Sequence, residues 1–125
     1  MYSTLIVDDE EDIRLMLRVT LARSGDISVV AEAEDGEKAL ERFRELDPPP
    51  DPSVVILDHR MPGLTGLETA QRMLEEHPRQ AIVLFSAHLD DHVRAKAKSI
   101  GISACLDKMR VNQLAETIRE VAAAA

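Results

Sequence analysis

The sequence predicts an α/β domain in three layers, in which helices cover both faces of a doubly wound, five-stranded parallel sheet. Apolar runs of strand length alternate five times with segments that repeat apolar residues at helical spacing. The middle runs, such as Val54–Leu57, are apolar throughout, which is typical of strands buried on both faces. Right-handed crossovers between such strands place helices on both sides of the sheet.

The length and composition fit one domain that spans residues 1–125. With 45% hydrophobic and 30% charged residues, the chain is neither disordered nor a membrane span. Acids begin at Asp8 and no basic-then-apolar segment precedes them, so we expect a cytoplasmic protein with no membrane partner. The single cysteine, Cys105, excludes an internal disulfide. The formal charge of −8 argues against direct nucleic-acid binding by this domain.

The first half of the chain reads as strand, helix, strand, helix. The first strand is predicted at Leu5–Val7 and the second at the segment ISVVAEA. Gly25 ends the helix between them, whose inner face comprises Ile13, Met16, Leu17, Thr20 and Leu21. Asp35 is predicted to cap the second helix, whose inner face comprises Ala39, Leu40, Phe43 and Leu46. The segment DPPPDP then predicts a stiff loop, because residues before proline avoid the helical region.

The second half continues the alternation from the strand Val54–Leu57. A helix is predicted after the loop PGLTG, with an inner face of Leu67, Ala70, Met73 and Leu74. The strand AIVLF ends at Ser86, and a helix from Asp90 to Ile100 carries a thin apolar stripe of Val93, Ala97 and Ile100. The short strand SACL ends near Lys108, and a last helix presents Leu114, Ile118 and Val121.

Polar residues stand where four of these strands end. Asp8 and Asp9 follow the first strand, Asp58 follows the third, Ser86 ends the fourth, and Lys108 lies near the end of the fifth. The carboxyl ends of parallel strands meet at one edge of a sheet, where such folds bind their ligands. The sequence therefore predicts a cluster of three carboxylates, one hydroxyl and one ammonium.

This cluster suits phosphoryl transfer to an aspartate. Carboxylates about 4 Å apart repel by roughly 4 kcal/mol at an effective dielectric of about 20, and Mg²⁺ relieves such repulsion through oxygen ligands. Asp58 is the candidate nucleophile, since aspartate can carry phosphate as a covalent intermediate. Lys108 and Ser86 could hold oxygens of the transferring group, and the metal would stabilise its charge.

Each residue also has a structural interpretation. Asp8, Asp9 and Glu10 could form the acidic start of a helix, Asp58 could occupy a turn, and Ser86 and Lys108 could be ordinary structural and surface residues. The joint pattern at four strand ends favours the reactive interpretation. The histidines lack a metal-ligand spacing and are interpreted as surface or loop residues: His59, His77, His88 and His92. Gly63 and Gly66 are too few for a phosphate-cradling loop.

The chain contains, in this order, the segments LIVDDE, VILDHRMPGLTGLE, VLFSA and CLDK. Through these segments, nearly the whole chain resembles the receiver domain of two-component response regulators. The resemblance implies the flavodoxin-like topology of that family. It implies that Asp58 accepts phosphate from a sensor histidine kinase or phosphotransfer protein and that Asp9 and Asp58 ligate Mg²⁺. Asp8 would act on the metal through water, and the backbone carbonyl of Arg60 would be a further ligand.

The resemblance also implies that Ser86 and Lys108 contact the phosphoryl group. It implies self-catalysed transfer to Asp58 and autodephosphorylation, and no other enzyme activity. A homodimer and a place in a larger transcriptional regulator are both compatible with it.

Three departures from the family pattern concern the switch. Cys105 stands where a tyrosine or phenylalanine is expected, Met109 follows the lysine where proline is common, and Leu114 comes about one residue early. In the family the hydroxyl residue moves toward the phosphate and the aromatic turns inward, which changes the surface of the fourth helix, fifth strand and fifth helix. Because Cys105 is small, we expect this switch to act through residues 86–100.

Two alternatives stay open at this point. A phosphatase of the haloacid dehalogenase type also uses an aspartate nucleophile in a doubly wound sheet. Resemblance to that family would require Asp-x-Asp after the first strand, where this chain has DDE. A pseudo-receiver would only bind partners, and the full set of acids with Ser86 and Lys108 argues against it.

Overall fold

The computed structural model describes residues 1–46 and 52–124. Its elements alternate strictly along the chain: β1 (Tyr2–Val7), α1 (Glu11–Ala22), β2 (Ile27–Ala33), α2 (Gly36–Glu45), β3 (Val54–Leu57), α3 (Gly66–Glu76), β4 (Ala81–Ser86), α4 (Asp91–Ile100), β5 (Ala104–Asp107) and α5 (Leu114–Ala124). The loop predicted at DPPPDP lies outside the described residues, apart from Pro52. No helix in these two ranges is both long and apolar enough to cross a membrane.

The five strands form one parallel sheet in the order β2-β1-β3-β4-β5. The chain moves from β1 to one neighbour, β2, and then crosses to the other neighbour, β3. This reversal opens a crevice beyond the carboxyl ends of β1 and β3. The predicted fold class, a doubly wound α/β/α sandwich with flavodoxin-like topology, is confirmed.

Each face of the sheet carries its own apolar core. On one face, the strand residues Leu5, Val55 and Leu57 pack with Phe43 of α2 and Met73 of α3. On the other face, a second cluster packs strands against α1 and α5 through Ile6, Ile56, Leu17, Leu21 and Ile118. Successive residues of β1 and β3 therefore serve opposite cores, and this explains why these strands are apolar throughout.

Most of the local predictions are confirmed. β2 and β3 have the predicted bounds, and the Asp35 side chain accepts a hydrogen bond from Lys38 N at 2.8 Å. α4 ends at Ile100 as predicted, and Gly101 follows it with a φ of 107°. β1 begins earlier than predicted, at Tyr2, because hydroxyl groups there are satisfied by neighbouring strands: Thr4 Oγ1 donates to Ser28 O at 2.9 Å.

Two features of the second half were not predicted. Lys108–Gln113 form a 3₁₀ segment between β5 and α5, and Asp107 caps it by accepting a hydrogen bond from Met109 N at 2.8 Å. His77 lies in the loop after α3, as predicted for a surface or loop residue, but its half-buried position was not predicted. Its ring contacts Phe43 edge to face at a centroid distance of 5.1 Å.

Candidate functional site

Three of the charged strand-end residues meet beyond the carboxyl edge of the sheet. Asp8 follows β1, Asp58 follows β3 and Lys108 follows β5. Lys108 Nζ lies 2.7 Å from Asp8 Oδ2 and 3.1 Å from Asp58 Oδ2. Both acids are buried, with exposures of 1% and 5%. The parallel sheet thus brings these residues together, as the strand-end pattern predicts.

Backbone hydrogen bonds set the direction of both buried carboxylates. Asp8 N donates to Ala33 O at 3.1 Å and Asp58 N donates to Val7 O at 3.0 Å, so each acid prolongs a strand. Asp8 Oδ1 then accepts from Glu10 N at 2.9 Å, and Asp58 Oδ1 accepts from His59 N at 2.8 Å. With one oxygen of each carboxylate fixed in this way, the other faces Lys108.

Lys108 is the counterion of this pair of acids. Burial alone would lower the pKa of its ammonium group. The close contact with the Asp8 carboxylate, the charges of Asp58 and Asp8, and the hydrogen bond that Lys108 donates to Asp58 outweigh that effect and hold the pKa above its usual value. The lysine is therefore firmly protonated and neutralises part of the negative charge in the crevice.

Arg14, on the first turn of α1, also supports the acidic segment. Its Nη1 donates to the backbone carbonyl of Asp8 at 2.5 Å, and its Nε lies 3.3 Å from Glu32 Oε1 on β2. Sequence reasoning missed this residue, because its spacing does not distinguish it from Arg18 one turn later. The arginine links the acidic segment to the edge strand of the sheet.

The segment after β1 offers a cluster of carboxylate oxygens. One oxygen from each of Asp8, Asp9 and Glu10 lies within 4.8 Å of the others, a trio that does not include Asp58. Glu10 was predicted only as part of an acidic helix start. Asp8 Oδ2 is buried and makes no hydrogen bond of good geometry to a described residue, although Lys108 is near. Hard oxygen donors with a free lone pair fit Mg²⁺.

Ser86 and Arg60 flank this charged group. Ser86 is fully buried at the end of β4, and its Oγ accepts a hydrogen bond from His88 N at 3.1 Å. The hydroxyl is thus engaged by its own loop. Arg60 is exposed two residues beyond Asp58, and the metal-ligating role expected of its carbonyl stays a prediction.

The histidine beside Asp58 lies in the loop after β3, in agreement with its interpretation as a surface or loop residue. His59 is half-buried, and its Nδ1 is buried without a hydrogen-bond partner among the described residues. Burial lowers the pKa of its imidazole more than the charges of Asp58 and Asp90 raise it. His88 and His92 are exposed, as predicted for surface residues.

Cys105 lies on β5, three residues before Lys108. It is half-buried against the core shared by α2, α3 and α4. Burial raises the pKa of its thiol, an effect that the charge of Arg94 on α4 opposes. Met109 beyond the lysine is 91% exposed. The position that the family pattern gives to an aromatic is thus filled by a small group that already lies against the core.

Residues 4–119 match the model of the response regulator receiver domain. The chain is 33% identical over 122 residues to the response regulator GacA of Pseudomonas protegens, an alignment that covers 97% of this chain and 55% of that protein. It is 37% identical over 93 residues to the nitrate/nitrite response regulator protein NarL of Escherichia coli, covering 73% of this chain and 41% of that protein. The chain spans about half the length of these curated relatives.

Solved structures share the whole fold. A DNA-binding response regulator of the LuxR family from Staphylococcus aureus superimposes with a TM-score of 0.87 at 28% identity, covering 98% of this chain and 99% of that chain. The response regulator domain of CheB from Thermotoga maritima superimposes with a TM-score of 0.89 at 24% identity, covering 98% and 97%. The second likeness concerns the fold alone.

Proposed function

This chain belongs to the response regulator receiver domain family, and on that premise we propose that it takes up a phosphoryl group on Asp58 with Mg²⁺. The observation that carries the proposal is the pairing of one ammonium group, Lys108 Nζ, with the buried carboxylates of Asp8 and Asp58. This arrangement sets a nucleophile and a positive charge side by side at the end of a rigid strand.

The proposed reaction moves the phosphoryl group in one step. An Asp58 oxygen forms a bond to phosphorus while the bond between phosphorus and the donor's histidine nitrogen breaks, and the nitrogen keeps the electron pair. Lys108 shifts from the carboxylates to a phosphoryl oxygen, and the Ser86 hydroxyl donates to another. Fixed positive charge placed where negative charge develops lowers the barrier. In autodephosphorylation a water oxygen would bond to phosphorus as the bond between phosphorus and the Asp58 oxygen breaks, which releases inorganic phosphate and the free carboxylate.

The metal would be held by the acids of the same crevice. We propose Asp9, Asp58 and the Arg60 carbonyl as direct ligands, with Asp8 acting through water. Glu10 lies close enough to join them, since its carboxylate belongs to the same oxygen cluster as Asp8 and Asp9. When bound, Mg²⁺ supplies positive charge to the oxygens of the transferring phosphoryl group.

The receiver family supports a sensor histidine kinase or phosphotransfer protein as the donor, and we place the receiver domain at residues 1–125 in the cytoplasm. A homodimer is compatible with this role. Direct nucleic-acid binding is not expected of a domain with a formal charge of −8. A further domain that contacts DNA would fit the relatives of the LuxR family. The phosphatase alternative finds no support in the family match.

The test is phosphorylation followed by intact-protein mass. The chain is incubated with acetyl phosphate and Mg²⁺, and we expect the added mass of one phosphoryl group. Asp58→Asn should abolish the addition, whereas Asp35→Asn, which changes a helix cap that makes no contact with Lys108 or Asp58 in the hydrogen-bond network, should not. Equal labelling of Asp58→Asn would overturn the assignment of the acceptor. Undiminished labelling with a chelator in place of Mg²⁺ would overturn the role of the metal.

A further inference from the structure

The first residue of α3 lies directly against the backbone of the proposed acceptor. Gly66 is buried, and its N–H donates to His59 O at 2.7 Å. A Cβ atom on Gly66 would overlap the carbonyl oxygen of Asp58 and lie 2.7 Å from His59 Cα. Real Cβ atoms do not approach other heavy atoms so closely, so a side chain at position 66 forces either α3 or the Asp58–His59 peptide to move.

Space, and not backbone conformation, requires a glycine at this position. The glycines with a positive φ are Gly25, Gly63 and Gly101, and Gly66 is not one of them. An alanine could therefore adopt the backbone angles of residue 66 but not its location. The sequence gives little indication of this, because the contact joins two segments that are separated by the whole β3–α3 loop.

The start of α3 is fixed strongly enough that it does not yield easily. Thr65 Oγ1 accepts a hydrogen bond from Glu68 N at 3.2 Å, and Glu68 Oε1 accepts one from Thr65 N at 2.9 Å, which forms a capping box. Ala70 and Met73, further along the helix, are fully buried. The neighbouring peptide after β3 is therefore the part that a side chain at position 66 would displace.

That peptide carries the contacts that aim Asp58. The carboxylate accepts from His59 N through Oδ1 and faces Lys108 through Oδ2. We propose that Gly66 is a positioning residue for phosphorylation: its missing side chain lets α3 press on the Asp58–His59 peptide and holds the acceptor carboxylate toward Lys108. This inference rests on the proposed function, because it gives Gly66 its role through Asp58.

Gly36 offers a matched control. It is the first residue of α2, it is buried, and a Cβ there would overlap Thr69 Oγ1 and lie 2.8 Å from Leu64 Cβ. Gly36→Ala therefore inserts the same atom at the same helix position, but against side chains and not against the acceptor backbone. A second comparison is Gly25→Ala, which strains a left-handed φ of 78° without any neighbour within 4 Å.

The experiment measures two quantities at a temperature at which every variant is folded. One is the rate of phosphorylation by acetyl phosphate with Mg²⁺, followed by intact mass. The other is the amide resonance of His59, whose N–H bonds Asp58, in the unphosphorylated protein. We expect Gly66→Ala to be phosphorylated at least tenfold more slowly than Gly36→Ala and Gly25→Ala, and to shift the His59 resonance more than either.

The outcomes separate this inference from the proposed function. Equal phosphorylation rates for the three variants, or a His59 resonance unmoved by Gly66→Ala, would overturn the role of Gly66 while leaving phosphorylation intact. An unphosphorylated wild-type protein would overturn the proposed function, and the His59 resonance would still report whether Gly66 sets the local geometry.

A milder pair of variants serves if Gly66→Ala does not fold. Thr65→Ala removes the cap of α3, and Asp35→Ala removes the corresponding cap of α2. The inference then predicts slower phosphorylation of Thr65→Ala than of Asp35→Ala. Equal rates for these two variants would overturn it.

Discussion

The two sides of the site differ in how firmly they are held. On the acidic side, Asp8, Asp58 and Lys108 are joined by short contacts, and Arg14 ties the backbone of Asp8 to β2. On the hydroxyl side, which comprises Ser86 and the following residues to 100, the serine bonds its own loop. The helix that follows, α4, has Val93 and Ala97 as its buried residues.

The difference indicates how one small domain can combine a rigid phosphoacceptor site with a segment that changes conformation. A phosphoacceptor needs fixed groups, because preorganised charges stabilise a transferring phosphoryl group without rearrangement. A switch needs a segment with few buried apolar contacts, because such segments open at low free energy. The acidic side has the fixed groups that the proposed phosphoacceptor requires, and the hydroxyl side has the few buried residues that the proposed switch requires.

The largest expected effect contrasts α3 and α4, two neighbouring helices that pack into the same core. Met73 of α3 is fully buried, whereas Val93 of α4 is 9% exposed and smaller. Met73→Ala should lower the free energy of unfolding by about 2–5 kcal/mol. Val93→Ala removes two methyl groups from a looser site and should cost about 1–2 kcal/mol. Urea denaturation of both variants measures this, and an equal or larger loss for Val93→Ala would refute the weak anchoring of α4.

The second prediction concerns Lys108. Replacing it by methionine leaves two buried carboxylates without their counterion, so the free energy of unfolding without Mg²⁺ should fall by about 3 kcal/mol. Saturating Mg²⁺ should reduce this loss of stability, because a metal at the proposed site would neutralise the same acids. The control is Lys96→Met, which removes an exposed lysine from α4. A loss no greater than that of the control would contradict the central role of Lys108 on the acidic side.

The strand cores and their polar ends were predictable from the sequence because both are local features. Val54–Leu57 is an uninterrupted apolar run, and Asp58 follows it directly. The groups that arrange the site act on backbone atoms, and the pattern of side chains in the sequence does not indicate such contacts. Arg14 acts through a backbone carbonyl, and Gly66 acts through the absence of a side chain. The Asp107 side chain caps the 3₁₀ segment after β5 by accepting a hydrogen bond from Met109 N. The spacing of apolar residues, on which the helix predictions depend, gives no indication of such a cap.

The third prediction concerns the effect of Mg²⁺ on the melting temperature, which tests the acidic side as a metal site. A ligand that binds the folded state stabilises it by about 2.7 kcal/mol at one hundred times its dissociation constant, so Mg²⁺ should raise the melting temperature. Asp9→Asn should reduce that rise, whereas Asp12→Asn should not. Asp12 carries the same charge in the first turn of α1 but does not belong to the oxygen cluster. An equal rise in all three proteins would remove Asp9 from the metal site.

The smallest effect is expected at Cys105. Its side chain is half-buried and contributes little area, so Cys105→Ser should change the free energy of unfolding by no more than about 1 kcal/mol. The rate of phosphorylation from acetyl phosphate should also stay within twofold of the wild-type rate. A severe loss of either quantity would show that the thiol supports the site.

The difference between the acidic side and the hydroxyl side is tested most directly by amide hydrogen exchange with and without beryllofluoride and Mg²⁺. This measurement reports the protection of the backbone amides on both sides in one protein. We expect the largest change in protection across residues 86–100, smaller changes at the strand ends that carry Asp8 and Asp58, and the same pattern in Cys105→Ser. Unchanged protection of residues 86–100, or a response that Cys105→Ser abolishes, would contradict the account.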